Sequence, residues 1–236
     1  MKTSNKILMS LLLVLLATTV FADFLLKKVY LKINLNDPFK NYQPVAIRPF
    51  KYLKIRGGNG YAIEIKQAAL DMKVMTKRKN FLTVRQNGDT LIIGFTVISS
   101  MSMRDPEGLP HGIIISSPKI TAIIADGSNN ILSGWKLDSL KLTLVGNATA
   151  NINGADIGKL TAIGNYNTIF NFHSTNRVRN LDLRLSNNAT AILKGIDYAV
   201  LNPRLTNESQ LIFGAHAASK LSLKSEIRRI ILKKIN

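Results

Sequence analysis

The stretch SLKLTLVGNATANINGADIG, residues 139–158, decides how the rest of the chain is read. Leu140, Leu142 and Leu144 alternate with Ser139, Lys141 and Thr143, the period-two pattern of a strand with one buried face. Gly146-Asn147 turns the chain, Ala148, Ala150 and Ile152 supply a second inward row, and Asn153-Gly154 turns it again. Working outward, the same twenty-residue line recurs from Lys119, Ser139, Lys159, Asn180, Val200 and Lys220. Its second column is wholly aliphatic: Ile120, Leu140, Leu160, Leu181, Leu201 and Leu221. Its fourteenth holds Leu132, Ile152, Phe172, Leu193 and Phe213, and its ninth holds the turn residues Asn147, Asn167 and Asn188. One extra residue, in the line from Lys159, is the only slip. A period of about twenty is too short for a helical repeat and suits one turn of a strand-built solenoid. Stacked lines would bring neighbouring coils to about 4.8 Å and turn each column into a ladder of like side chains. The expected fold is all-β, a parallel β-helix with coils of about twenty residues.

The order strand, Gly/Asn turn, small-residue strand, Gly turn resembles the head GIN domain family, β-helix proteins of Gram-negative bacteria regarded as auto-transporter adhesins. The residues that carry the likeness are Gly146-Asn147, Asn153-Gly154, Gly164-Asn165, Asn187-Asn188, Gly195 and Gly214, with Gly57-Gly58-Asn59-Gly60 upstream. It extends from about Pro44 to the end. The resemblance implies a right-handed β-helix similar to pectin-lyase folds, without their catalytic residues, and a role in adhesion. Asp126-Gly127 and Asn207-Glu208 depart from the simple Gly/Asn turn.

The 236 residues suffice for one solenoid whose core grows by stacking. With no cysteine, a disulfide framework and any Cys-ligated zinc site are excluded. Residues 1–22 read as a signal peptide or signal anchor. Lys2 and Lys6 precede the apolar run from Ile7 to Phe21, and Val20 and Ala22 suit cleavage after Ala22. Phe24, Leu25 and Leu26 prolong that run, so residues 7–26 are also long enough for a membrane anchor. Either way the expected location is exported: periplasm, cell envelope or cell surface.

Residues 23–49 read as a linker or first wrap, with prolines at 38, 44 and 49. Residues 50–118 read as irregular N-terminal coils and a hairpin. The runs on either side of Gly57-Gly58-Asn59-Gly60 fit a hairpin or the first solenoid corner, and Asn87-Gly88 marks a true hairpin. Residues 67–75 fit a short helix or a strand, and residues 99–111 a projecting loop. Residues 119–236 are the regular repeats, ending in a basic C-terminal cap that includes Arg228 and Arg229.

A carbohydrate-active enzyme on this fold would need carboxylates clustered on one outer face. Asp126, Asp138 and Asp182 fall in unrelated columns. Asp156 and Asp197 share one, but two coils apart, with Asn176 expected between them. The three histidines make no metal-ligand pair, and no serine has a His/Asp partner at related positions. No catalytic residue, metal or cofactor is expected. The net charge of +18, which falls by two if residues 1–22 are removed, is the feature the fold does not explain. In the fifth column Arg184, Arg204 and Lys224 should point outward above one another, and with Arg228 and Arg229 they form a candidate anion-binding surface. Few aromatics are interleaved with it, so nucleic acid is not the expected partner. Anionic glycans, lipopolysaccharide or surface proteins are. The expected function is that of a non-enzymatic envelope adhesin, with a carbohydrate-active β-helix enzyme or a structural spacer as alternatives.

Overall fold

The structure is a computed structural model that describes residues 3–31, 37, 39–58, 62–95, 112–214 and 231–232. It divides into two compact units, residues 1–42 and 43–236.

The first unit carries α1 (Thr3–Tyr30), whose segment Asn5–Tyr30 is long and apolar enough to cross a membrane, with a mean hydropathy of 2.3. Its leucines, valines and phenylalanines are exposed on every side, and Lys27 and Lys28 occupy its last turn. A helix that is apolar all round finds its solvent in lipid or in a translocation channel rather than in water.

The second unit is a stacked-coil parallel β-solenoid with two sheets. In chain order its strands are β1 (Tyr42–Pro44), β2 (Tyr52–Arg56), β3 (Ala62–Gln67), β4 (Asp71–Met75), β5 (Leu82–Asn87), β6 (Thr90–Phe95) and β7 (Ile113–Ser117). Then come β8 (Ala122–Asp126), β9 (Asn129–Ser133), β10 (Lys136–Val145), β11 (Thr149–Asn153), β12 (Asp156–Asn165) and β13 (Ile169–Phe172). The last are β14 (Arg177–Ser186), β15 (Thr190–Leu193), β16 (Asp197–Leu205), β17 (Gln210–Phe213) and β18 (Ile231–Leu232). From β8 onward each coil gives one strand to the sheet β5-β6-β2-β8-β10-β12-β14-β16 and the next to the sheet β1-β4-β7-β3-β9-β11-β13-β15-β17-β18. Leu140, Leu160, Leu181 and Leu201 are register partners in turn, and the first three are buried. Leu221 lies outside the described residues.

The extra residue of the third line sits in the turn His173–Asn176. Phe172 pairs with Ile152 twenty positions back, whereas Arg177 pairs with Asp156, twenty-one back. Asn176 folds inward and is buried. Its amide donates to the carbonyls of Ile152 (2.6 Å) and His173 (2.9 Å), and its oxygen accepts from the Ala155 amide (2.9 Å). An insertion that would strand backbone polar groups is thus absorbed by one side chain that satisfies them.

Columns of like residues do not fill the core evenly, and size is traded across it. On β12 the last two inward positions are Ala162 and Gly164, after Ile157 and Leu160, while β13 of the same coil carries Phe170 and Phe172, whose rings stack at 6.4 Å. A Cβ on Gly164 would lie 2.8 Å from the Phe170 ring and 2.6 Å from Thr168 Oγ1. Glycine there makes room for the phenylalanine, as close packing of a core demands. Trp135, fully buried, lies one coil from Ala155 and donates its indole N–H to the Ile65 carbonyl at 2.9 Å.

The N-terminal end departs from sequence order. The coil β6–β7 follows β2–β3 in the chain but stacks on its outer side, while β8–β9 stacks on the inner side. Gly57-Gly58 therefore begins a solenoid corner, with β2 and β3 in different sheets. Residues 67–75 end in a strand rather than a helix, since β4 pairs antiparallel with β7. The expected hairpin is present as β5–β6, joined by Gly88-Asp89 with Gly88 at φ 53°. β4 and β5, both antiparallel to the stack, cover the edge that a parallel coil would leave open. The expected loop at 99–111 and most of the C-terminal cap lie outside the described residues; of that tail, Ile231 and Leu232 pair parallel with Ile212 and Phe213.

Candidate functional site: the outer face of the long-strand sheet

The long strands β10, β12, β14 and β16 are bent. Inward residues run Leu137, Leu140, Leu142, Leu144, so two successive residues, Asp138 and Ser139, both face outward. The same double step recurs at Gly158-Lys159, Arg179-Asn180 and Ala199-Val200, and the register leaves out Asp138, Gly158, Arg179 and Ala199. The bend brings charged columns side by side on the outer face.

Before the bend one column reads Lys136, Asp156, Arg177, Asp197, alternating in sign from coil to coil. This corrects the expectation that Asn176 separates Asp156 from Asp197. The extra residue precedes Arg177, so an outward arginine stands between the two carboxylates and its Nε lies 4.0 Å from Asp197 Oδ2. Past the bend Asp182 accepts from the Asn202 amide at 2.9 Å and lies 3.7 Å from Lys159 Nζ. Among the described residues no group of three or more His, Cys, Asp or Glu could hold a metal ion.

Arg184 and Arg204 are register partners and exposed, one coil apart on this face. Lys224, Arg228 and Arg229 lie outside the described residues. Asn147, Asn167 and Asn188 occupy one corner with φ of 59°, 56° and 62°, each donating its backbone N–H to a carbonyl of the next coil. The ladder of side-chain amides runs beside them, from Asn207 to Asn187 (3.0 Å) and from Asn187 to Asn165 (2.7 Å). Asn187 and Asn207 are left-handed as well, with φ of 50° and 49°, while the ninth-column side chains are exposed.

A groove of about 650 Å³ follows the bend. Lys119, Lys136, Lys159 and Arg179 line it together with Asp138 and Asp156. Two features of the sequence create it. β8 begins opposite Lys141, so the first half of β10 has no strand on that side. Gln67 occupies the gap, accepting from the Lys136 N–H (2.7 Å) and donating to the Pro118 carbonyl (2.9 Å). Gly158, between Asp138 and Arg179, carries no side chain, and a Cβ there would come within 2.6 Å of the Asp138 carbonyl. Sequence reading missed the groove because Gln67 and Pro118 belong to the out-of-order coils; the signal available was Gly158, which breaks an outward column of polar residues.

No family model matches the sequence, and no curated protein matches it. The fold is similar to that of a protein described as a putative adhesin from Parabacteroides merdae ATCC 43184. The TM-score is 0.50 at 13% identity, and the match covers 73% of this chain and 80% of that one. A second solved protein, described as a putative adhesin from Parabacteroides distasonis ATCC 8503, aligns with a TM-score of 0.45 at 13% identity, covering 74% of this chain and 81% of that one.

Proposed function

We propose that this chain is a non-enzymatic, exported envelope β-solenoid that acts as an adhesin, binding anionic ligands on the outer face of its long-strand sheet. The fold shared with the P. merdae protein carries this reading. The head GIN resemblance of the Gly/Asn corners points the same way, and α1 supplies an export signal or an anchor. Arg184 and Arg204 belong to the basic surface that draws polyanions towards the face.

The test is a glycan and lipid binding screen with the full-length chain in uncharged detergent. Salt-sensitive binding to a defined glycan or lipid class supports an adhesin. Binding to nothing in the screen leaves a structural spacer and overturns the proposal. Cleavage or elimination of an acidic polysaccharide, abolished by Asp156→Asn or Asp197→Asn, would overturn its non-enzymatic part.

A further inference from the structure

We infer that the groove along the bend is the ligand site and that its ligand is an acidic polysaccharide lying across the stacked coils. This rests on the adhesin reading and adds to it a place and a chemistry.

The cations are arranged for a linear polyanion. Lys136, Lys159 and Arg179 stand on β10, β12 and β14, three successive coils about 5 Å apart along the stack, but in different columns, Lys136 before the double outward step, Arg179 within it and Lys159 at its end, so the positive path runs obliquely across the strands. Lys119 joins them from the link that crosses between out-of-order coils. No acid lies within ion-pair distance of Lys119, Lys136 or Arg179 among the described residues, whereas Lys159 already shares Asp182. Three cations of the groove are therefore uncommitted, and Arg179 offers a planar fork suited to carboxylate or sulfate.

The remaining lining selects among polyanions. Asp138 and Asp156 are acceptors that suit sugar hydroxyls. Among the described residues no aromatic side chain lines the groove to give the stacking platform that single-stranded nucleic acid uses. Pro118 and Leu137 are its only apolar side chains among the described residues, too little surface to take an acyl chain. Hydroxyls interspersed with anionic groups are the chemistry of an acidic glycan. Gly158 lies in the middle of the lining, where a Cβ would press on the Asp138 backbone of the coil before it.

The experiment titrates the full-length chain in uncharged detergent with short galacturonate oligomers, their methyl esters, sulfated glycan oligomers and anionic phospholipid vesicles. Galacturonate or sulfated oligomers should bind, the neutral esters should not, and the triple variant Lys119→Gln, Lys136→Gln, Arg179→Gln should weaken binding about tenfold or more. The double variant Arg85→Gln, Lys194→Gln should stay within about twofold, because these exposed cations lie outside the groove lining and contribute only long-range attraction, screened beyond about 8 Å at physiological salt. Lys136→Arg should retain affinity, and unchanged thermal unfolding of each variant shows that these exposed side chains do not hold the fold. Equal losses in the triple and double variants, or equal binding of the methyl esters, would overturn the groove assignment. Binding of vesicles without oligomers, or of neutral glycans alone, would also overturn it while leaving the adhesin reading in place.

Discussion

The coils from β8 to β17 and the coils at the N-terminal end reach the same cross-section by different routes. In the first region each strand pairs with the one twenty or twenty-one residues on, so neighbours in space are neighbours in sequence. In the second, β2–β3 lies between β6–β7 and β8–β9, and the chain must double back through β4 and β5 to build it. Yet the inward columns run through without a break: Ile93, Ile55, Ala125 and Leu144 are successive partners, as are Ile115, Ile65, Leu132 and Ile152. A coil is accepted because its inward row matches the column beneath it, not because it comes next in the chain. Sequence order matters for the links, and the links make the groove.

The sharpest way to break the regular region is Leu181→Asp. It places an unpaired charge in a fully buried column between Leu160 and Leu201, at a cost of several kcal/mol, and chemical denaturation should show the solenoid largely unfolded. Next, size exchange in the regular coils can be measured as a coupling. Gly164→Ala alone should cost about 1–3 kcal/mol because the Phe170 ring stands in the way, and Phe170→Leu should leave a void. Together they should recover part of the loss, and strict additivity in a double-mutant cycle would show that the two positions do not share volume. At the junction of the regions, Trp135→Phe keeps most of the buried ring but removes the donor to the Ile65 carbonyl. A loss of about 1 kcal/mol in denaturant midpoint is expected.

The smallest effect belongs to the irregular end. Lys51, just before β2, donates to Asp89 in the hairpin turn at 2.7 Å, and that hydrogen bond, followed by the charge attraction, raises the lysine pKa above its ordinary 10.5. A raised lysine pKa contributes stability that is present below 10.5 and lost as pH rises through the folded value. Asp89→Asn should therefore shift the melting temperature little at neutral pH and not at all well above 10.5, since both side chains are more than half exposed. A large shift would mean the hairpin cap depends on this pair and not on the backbone bonds from Lys51 and Tyr52 to the Asp89 carbonyl.

Much of this was legible in the residues because a solenoid writes its tertiary contacts into a short sequence period. The aliphatic column from Ile120, the corner asparagines, the hairpin at Asn87-Gly88 and the apolar N-terminal helix follow from pattern alone, since each rests on contacts at a fixed offset or within one turn. Arg184 and Arg204 fell on one outward column for the same reason. Other features had no fixed offset. The place of the extra residue was undetermined in the sequence, because any turn can absorb an insertion. Only the hydrogen bonds of Asn176 fix it in the turn before Arg177, which moves an arginine between Asp156 and Asp197. Gly164 reads as a turn residue until Phe170 is seen to fill the space above it. The groove needs Gln67, Lys119 and Lys136 together, residues joined only because the β2–β3 coil is inserted out of order. Repetition specifies the columns locally; which coil stacks on which, and what the links between them enclose, is decided by packing over the whole stack.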